Sequence, residues 1–172
     1  MNDWFDVDKA GLAKLMAGRS KAFIVHELLQ NAWDEVGVRA VSVTIAPLTG
    51  TRNARIVVSD DAPDGFADLR DAYTLFAESR KKGNAGQRGR FNLGEKLVLA
   101  LAKRAAIETT TGTVEFTPTG RHRSQHKREA GSKFEADVPM TRAEINEIDR
   151  AMKLLIPPVG IVTTYDGREI PQ

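Results

Sequence analysis

The sequence predicts a single α/β domain, and three observations carry that expectation. A chain of 172 residues with 41% hydrophobic content suits one core of ordinary size. Apolar residues recur at helical spacing around 8–16, 21–35, 94–104 and 141–155. Between these stretches lie runs that alternate apolar and polar residues, such as Val41-Ser42-Val43-Thr44-Ile45, as half-buried strands do.

Taken in order, the helical spacing of apolar residues over 8–16 predicts a first helix, and Gly18-Arg19-Ser20 separates it from the next. Ser20 is a candidate N-cap for a helix over 21–35; the run contains neither Gly nor Pro, and Gly37 is its stop signal. The strand at 41–45 and the strand at 55–60 make a hairpin across the turn-like stretch 47–53. The second strand runs into the acidic turn Asp60-Asp61-Ala62-Pro63-Asp64-Gly65-Phe66. A short helix is expected between 68 and 79, followed by the basic, Gly-rich loop 80–90 and a helix over 94–104. Strands follow near 106–110, 113–117 and 133–138. The helix over 141–155 carries the capping pattern Thr141-Arg142-Ala143-Glu144, Pro157-Pro158 ends it, and a last strand spans 160–165. No internal repeat or low-complexity segment is visible.

The bulk numbers exclude little more. Net charge is only +2, so a basic partner site would have to be local. The absence of cysteine removes disulfides, thiol nucleophiles and Cys-ligated zinc, and fits a reducing compartment. The start of the sequence lacks a basic and apolar leader pattern, and no apolar run nears the roughly 18 residues of a membrane span, so a cytoplasmic protein is expected.

The most informative stretch is the helix over 21–35. Glu27, Asn31 and Asp34 share one stripe of it, flanked by Phe23, Ile24, Leu28, Leu29, Ala32 and Trp33. Such a stripe is either the partly exposed edge of a core helix or the lining of a site. A carboxylate buried there requires a cation, a water or a polar ligand beside it. The turn after Asp60 is equally readable as a plain tight turn. The segment Gly89-Arg90-Phe91-Asn92-Leu93-Gly94 entering a helix is backbone of the kind that presents N–H groups to phosphate. Each feature alone is weak; their order is specific.

In that order the sequence resembles the GHKL superfamily of DNA gyrase B subunits, ninety-kilodalton heat-shock chaperones, histidine kinases and MutL proteins. Glu27-x-x-x-Asn31-Ala32-x-Asp34 is similar to its first motif, and Val58-Ser59-Asp60 to the approach to its second. Gly89 to Gly94 is similar to the chaperones' glycine motif, and Gly94-Glu95-Lys96-Leu97 to the Gly-Glu-Ala-Leu of the MutL branch. Gly131-Ser132-Lys133-Phe134 is similar to a late Gly-Thr-x-Val motif. There are two departures: the second motif carries one extra residue with Ala62 in place of its first Gly, and Asn92 replaces the middle Gly of the third.

The resemblance implies a Bergerat-type fold. This is a two-layer sandwich, a mixed, mostly antiparallel sheet with helices on one face, here as one ATP-binding domain over 1–172, whole or the first part of a longer protein. It implies Mg-ATP as ligand, with slow hydrolysis coupled to lid closure and conformational change or homodimerisation. Glu27 would be the general base and Asn31 a Mg²⁺ ligand through its amide oxygen. Asp34 would support the helix or the surrounding water network. Asp60 would accept from the adenine amino group, Gly65 would let backbone approach the base, and Ser132 would act through water. Residues 67–93 would form the lid, with Gly89, Phe91, Asn92, Leu93 and Gly94 wrapping the phosphates. Lys96 is either a phosphate ligand or a solvated lysine. The basic lid residues Lys81, Lys82, Arg88 and Arg90 are either solvated or reach the γ-phosphate on closure.

The basic segment 121–128 is either a solvated hairpin or a contact for nucleic acid or an acidic protein; it has no aromatic residue for stacking. Two other functions remain in view. One is a nucleotide-sensing module without turnover. The other is a histidine-kinase-type phosphotransferase, disfavoured because the nucleotide motifs begin within the first thirty residues rather than after a phosphoacceptor helical pair.

Overall fold

A computed structural model describes residues 10, 11, 14, 18–65, 69 and 98–172. Apart from Leu69, the expected lid 67–93 lies outside the described residues, as do the glycine motif from Gly89 to Gly94 and Lys96. Helix α1 spans Lys21–Trp33 and helix α2 spans Arg142–Lys153. The strands are β1 (Ala40–Pro47), β2 (Asn53–Asp60), β3 (Arg104–Thr109), β4 (Gly112–Thr117), β5 (Gly120–Ser124), β6 (Lys133–Pro139), β7 (Val162–Tyr165) and β8 (Arg168–Glu169). They form one sheet in the order β5-β4-β3-β6-β2-β1-β7-β8. Only β1 and β7 pair in parallel; the other six neighbouring pairs are antiparallel. Helices cover one face, so the two-layer mixed sandwich expected from the sequence is what forms.

Register explains which face is covered. The cross-strand row Val43, Val58, Phe134, Ile107, Val114 is buried, and so is the row Ile45, Ile56, Ala136, Ala105. Ile24, Val25, Leu28 and Leu29 of α1 pack in the same core, with Ile148 and Met152 from α2. At about 25 cal/mol per Å², each fully buried branched side chain contributes roughly 2 kcal/mol against exposure. The alternate residues face the other way and carry an ion ladder instead. Lys133 bridges Glu108 and Glu135, and Arg55 bridges Glu135 and Asp137. The Arg55–Asp137 pair is bidentate, at 2.7 and 3.0 Å.

The ends of the elements have local causes. The Ser20 side chain caps α1 by accepting from Ala22 N–H at 3.1 Å. Lys21, the first helical residue, is buried and pairs with Glu144 of α2. The helix stops at Trp33, two residues short of the expected end; Asp34 is its C-cap and Gly37 turns the chain at φ +78°. Trp33 Nε1–H donates to Thr163 Oγ1 at 3.0 Å in the interior, tying the end of α1 to β7. Both halves of the capping box expected at Thr141 and Glu144 are present. Strand β3 starts at Arg104, where a helix was expected still to run, because the extended chain is already engaged by Lys103 N–H donating to the Asp137 carbonyl at 2.8 Å.

Candidate functional site

A cleft of about 370 Å³, part of it open to solvent, lies between the second half of α1 and the ends of β2, β3 and β6. Its lining comprises Leu28, Asn31, Ala32 and Glu35 from the α1 side and Val58, Asp60, Ile107, Ser132 and Phe134 from the sheet. The apolar members continue the core, with Val58, Phe134 and Ile107 in one cross-strand row. The polar ones interrupt it in a pattern that the protein itself leaves incomplete.

Asn31 and Ser132 are buried, at 5% and 6% exposure, and among the described residues neither Asn31 Nδ2 nor Ser132 Oγ has a hydrogen-bond partner. Buried polar atoms without partners cost about 1–3 kcal/mol each, so two on one cleft mark a place where a polar ligand or water completes the bonding. An amide side chain can present either its nitrogen or its oxygen at such a point.

Asp60 sits opposite on the last position of β2. Its Oδ1 accepts from Ala62 N–H at 3.0 Å and Ser132 N–H at 3.2 Å, while among the described residues no donor reaches Oδ2. Burial pushes its carboxyl up to about 6. Those two N–H donors and the Arg128 guanidinium work against the rise, and the Glu35 carboxylate adds to it.

The backbone around Asp60 is tightly held. Asp60 N–H donates to the Ser132 carbonyl at 3.0 Å, and Gly131 N–H to the Ala62 carbonyl at 2.7 Å. Gly131 has φ +71°, and a Cβ there would stand 1.9 Å from the Asp60 carbonyl oxygen, so only glycine fits. Arg128 donates to Ser59 Oγ and to the Ala130 carbonyl, buttressing the same turn from the side.

The structure brings together three of the residues expected at the site: Asn31, Asp60 and Ser132. Glu27 is half-buried one helical turn before Asn31 and is not part of the cleft lining. Asp34 is the C-cap of α1, its N–H donating to the Gln30 carbonyl at 3.0 Å, and it too is outside the lining. The expected stripe thus rotates by about one position, and Glu35, four residues on from Asn31 and seven from Leu28, takes the cleft position instead. Counted from Leu28, the i, i+3, i+7 spacing of Leu28, Asn31 and Glu35 is the sequence signal for Glu35. Gly65 has φ +56° and is close to the Thr109 and Thr110 side chains and the Gly131 carbonyl. It supports the turn rather than lining the cleft.

The basic segment 121–128 is divided. Residues 121–127 are exposed, with 121–124 in the edge strand β5, whereas Arg128 is half-buried and bonded to the turns beside Asp60. Within the described residues there is no group of three or more His, Asp or Glu side chains able to hold a metal. No helix among them is long and apolar enough to cross a membrane.

No family model matches the chain, and no curated protein does. Solved structures do. The ATPase region of Saccharomyces cerevisiae topoisomerase II matches with a TM-score of 0.66 at 13% identity, over 87% of this chain and 48% of that one. The same region bound to ICRF-187 (dexrazoxane) matches with a TM-score of 0.63 at 13% identity, over the same shares. The ATPase and transducer domains of DNA topoisomerase II from Balamuthia mandrillaris match with a TM-score of 0.66 at 17% identity, over 88% and 48%. The chain has the Bergerat fold of these ATPase regions and spans about half the length of the structures it matches.

Proposed function

We propose that the chain is a Mg-ATP-binding domain whose nucleotide base seats in the cleft of Asn31, Asp60 and Ser132. The observation that carries this reading is the pair of orphaned buried atoms, Asn31 Nδ2 and Ser132 Oγ, on a cleft that also holds the half-engaged carboxylate of Asp60. The fold shared with topoisomerase II ATPase regions supports it.

Ionised Asp60 is acceptor-only, so its Oδ2 selects a ring that offers a donor, as the adenine amino group does and the guanine carbonyl does not. Val58, Ile107 and Phe134 supply the apolar bed on which a flat ring lies. Ser132 Oγ–H completes its bonding through the ring or a water on it.

On the same reading a divalent cation of the Mg²⁺ kind would accompany the polyphosphate. The described residues form no all-protein carboxylate cage, and Mg²⁺ takes few protein ligands when phosphates and waters provide the rest. Asn31 would hold it through the amide oxygen. When bound, the cation supplies charge neutralisation to the polyphosphate. Glu27, one turn toward the helix start, is the group able to take a proton from water at its carboxylate. The segment 67–93 would close as a lid, with Gly89, Phe91, Asn92, Leu93, Gly94 and Lys96 on the phosphates and Asp34 in the supporting water network; nucleotide-driven homodimerisation would follow such closure.

A second reading, nucleotide sensing without appreciable turnover, is favoured by one observation: the cleft lining includes the binding residues but not Glu27. Calorimetric titration with ATP, ADP and GTP, with and without Mg²⁺, beside a steady-state phosphate-release assay, tests both. ATP binding that is weakened by N31A and D60A supports the site. Absence of ATP binding at millimolar concentration refutes it. Binding without phosphate release selects the sensing reading.

A further inference from the structure

Asp61, the residue after Asp60 in the second motif, makes contacts outside the cleft lining. It follows Asp60 and is itself exposed. Its Oδ1 accepts two backbone N–H groups, from Arg39 and from Ala40, both at 2.8 Å. Those residues lead into β1, twenty-odd positions back in the chain. Although burial works against it, these donors and the Arg39 charge hold the carboxyl below its ordinary range. A second contact joins the same loops, since a Cβ at Gly37 would meet Pro63 Cδ at 3.1 Å.

The short chain 60–62 is therefore gripped from two sides. From the β6 side, Ser132 and Gly131 bond to Asp60 and Ala62. From the β1 side, Asp61 is the grip. Between them, Asp60 has its carboxylate oriented and Ala62 has its N–H aimed at Asp60 Oδ1.

We propose that Asp61 is a positioning residue for base recognition, a clamp that fixes the Asp60 carboxylate against the start of β1. This rests on the nucleotide reading of the cleft. The clamp needs only an oxygen that accepts two N–H groups, so an asparagine oxygen serves as well. A free, unclamped turn lets Asp60 relax from the cleft, and the effect falls on the base end alone.

The test is calorimetric titration of wild type, D61A and D61N with Mg-ATP and Mg-GTP, with far-ultraviolet circular dichroism of each variant. D61A is expected to lose about tenfold in ATP affinity, near the net worth of one charge-assisted hydrogen bond, with little change for GTP, so that the ATP/GTP ratio narrows. D61N is expected to retain the wild-type ratio within about threefold. An unchanged ratio in D61A, or equal loss in D61N, overturns the clamp while leaving the nucleotide site standing. Wild-type protein that binds no ATP overturns the nucleotide reading and the clamp with it. Should D61A fail to fold, D61N and D61S decide: serine has a shorter reach, so a narrowed ratio in D61S beside a preserved one in D61N supports the clamp, and identical ratios overturn it.

Discussion

Replacing Asp60 by asparagine should make the ligand-free protein more stable at neutral pH while removing its ligand recognition. The wild-type carboxyl titrates at about 6 in the fold against 3.8 unfolded, chiefly because it is buried. Below pH 3.8 both states hold the proton, and the native state carries no penalty relative to the unfolded one. As pH rises through 6 the native state must ionise a buried group, and stability is lost. At 1.36 kcal/mol per decade, the gap between 3.8 and about 6 amounts to at most about 3 kcal/mol at pH 8. Asparagine stays neutral throughout, and its Oδ1 still accepts from Ala62 and Ser132. With roughly 2–4 °C per kcal/mol for a domain of this size, D60N should raise the ligand-free Tm by at most about 6–12 °C at pH 8. The gain should shrink through pH 6 and vanish near pH 4. Thermal unfolding followed by circular dichroism between pH 4.5 and 8 measures it, with ATP titration as the companion assay. A D60N protein that is less stable at pH 8, or whose gain does not depend on pH, would refute the account of Asp60 as a buried, penalised carboxylate.

Three other outcomes follow from the same geometry. N31A removes a buried donor that has no partner among the described residues, so Tm should move by less than about 2 °C while the Mg²⁺-dependent part of ATP affinity disappears, as titration with and without EDTA would show. E27A should leave ATP affinity within about threefold of wild type and reduce any phosphate release by at least about 100-fold; unchanged release removes Glu27 from the chemistry. G131A forces a Cβ into the Asp60 carbonyl oxygen at a φ of +71°, so a loss of at least about 3 kcal/mol is expected in urea unfolding, and a loss below about 1 kcal/mol would contradict the close approach.

The parts of this molecule that are legible in its sequence are those governed by local periodicity. Val41 to Ile45 alternates because one face meets α1 and the other meets solvent, and the Thr141–Glu144 box announces α2 because both partners lie within one turn. Strand β5 was legible only as the solvated hairpin that was one reading of the basic segment 121–128. Gly-Arg-His-Arg-Ser has no apolar alternation, and it becomes a strand only because β4 offers an edge through the tight turn at 117–120. For the candidate site, the pattern of polar residues was legible and their orientation less so. Motif spacing finds Asn31, Asp60 and Ser132, yet a helix with polar residues at 27, 31, 34 and 35 leaves open which flank of Asn31 turns inward. Packing of Leu28 and Ala32 decides that, and it brings in Glu35. Asp61 and Arg128 were missed for another reason: their partners are 21–22 and 69 residues away, beyond any local pattern.

The inward turn of Glu35 bears on how a ligand must lie. Asp34 and Glu35 stand at the C-terminal end of α1, where the helix dipole is already negative and where the last turn carries no basic residue. For stability alone this placement is unfavourable, by about 0.3–1 kcal/mol for each carboxylate. Glu35 also raises Asp60, which it helps to keep partly protonated near pH 6. An electronegative pocket floor of this kind repels phosphate and accepts a neutral ring that presents hydrogen-bond donors. On the nucleotide reading, the base therefore enters toward Glu35 and Asp60, and the polyphosphate extends back along α1 past Asn31 toward Glu27. The order Glu27 and Asn31 on α1, then Glu35 just past its C-cap, would lay out the hydrolytic, metal and base ends of a single ligand. It follows that E35Q, by removing the like charge beside Asp60, should lower the pH at which ATP binding is half-lost, whereas E27Q should leave that pH where it is.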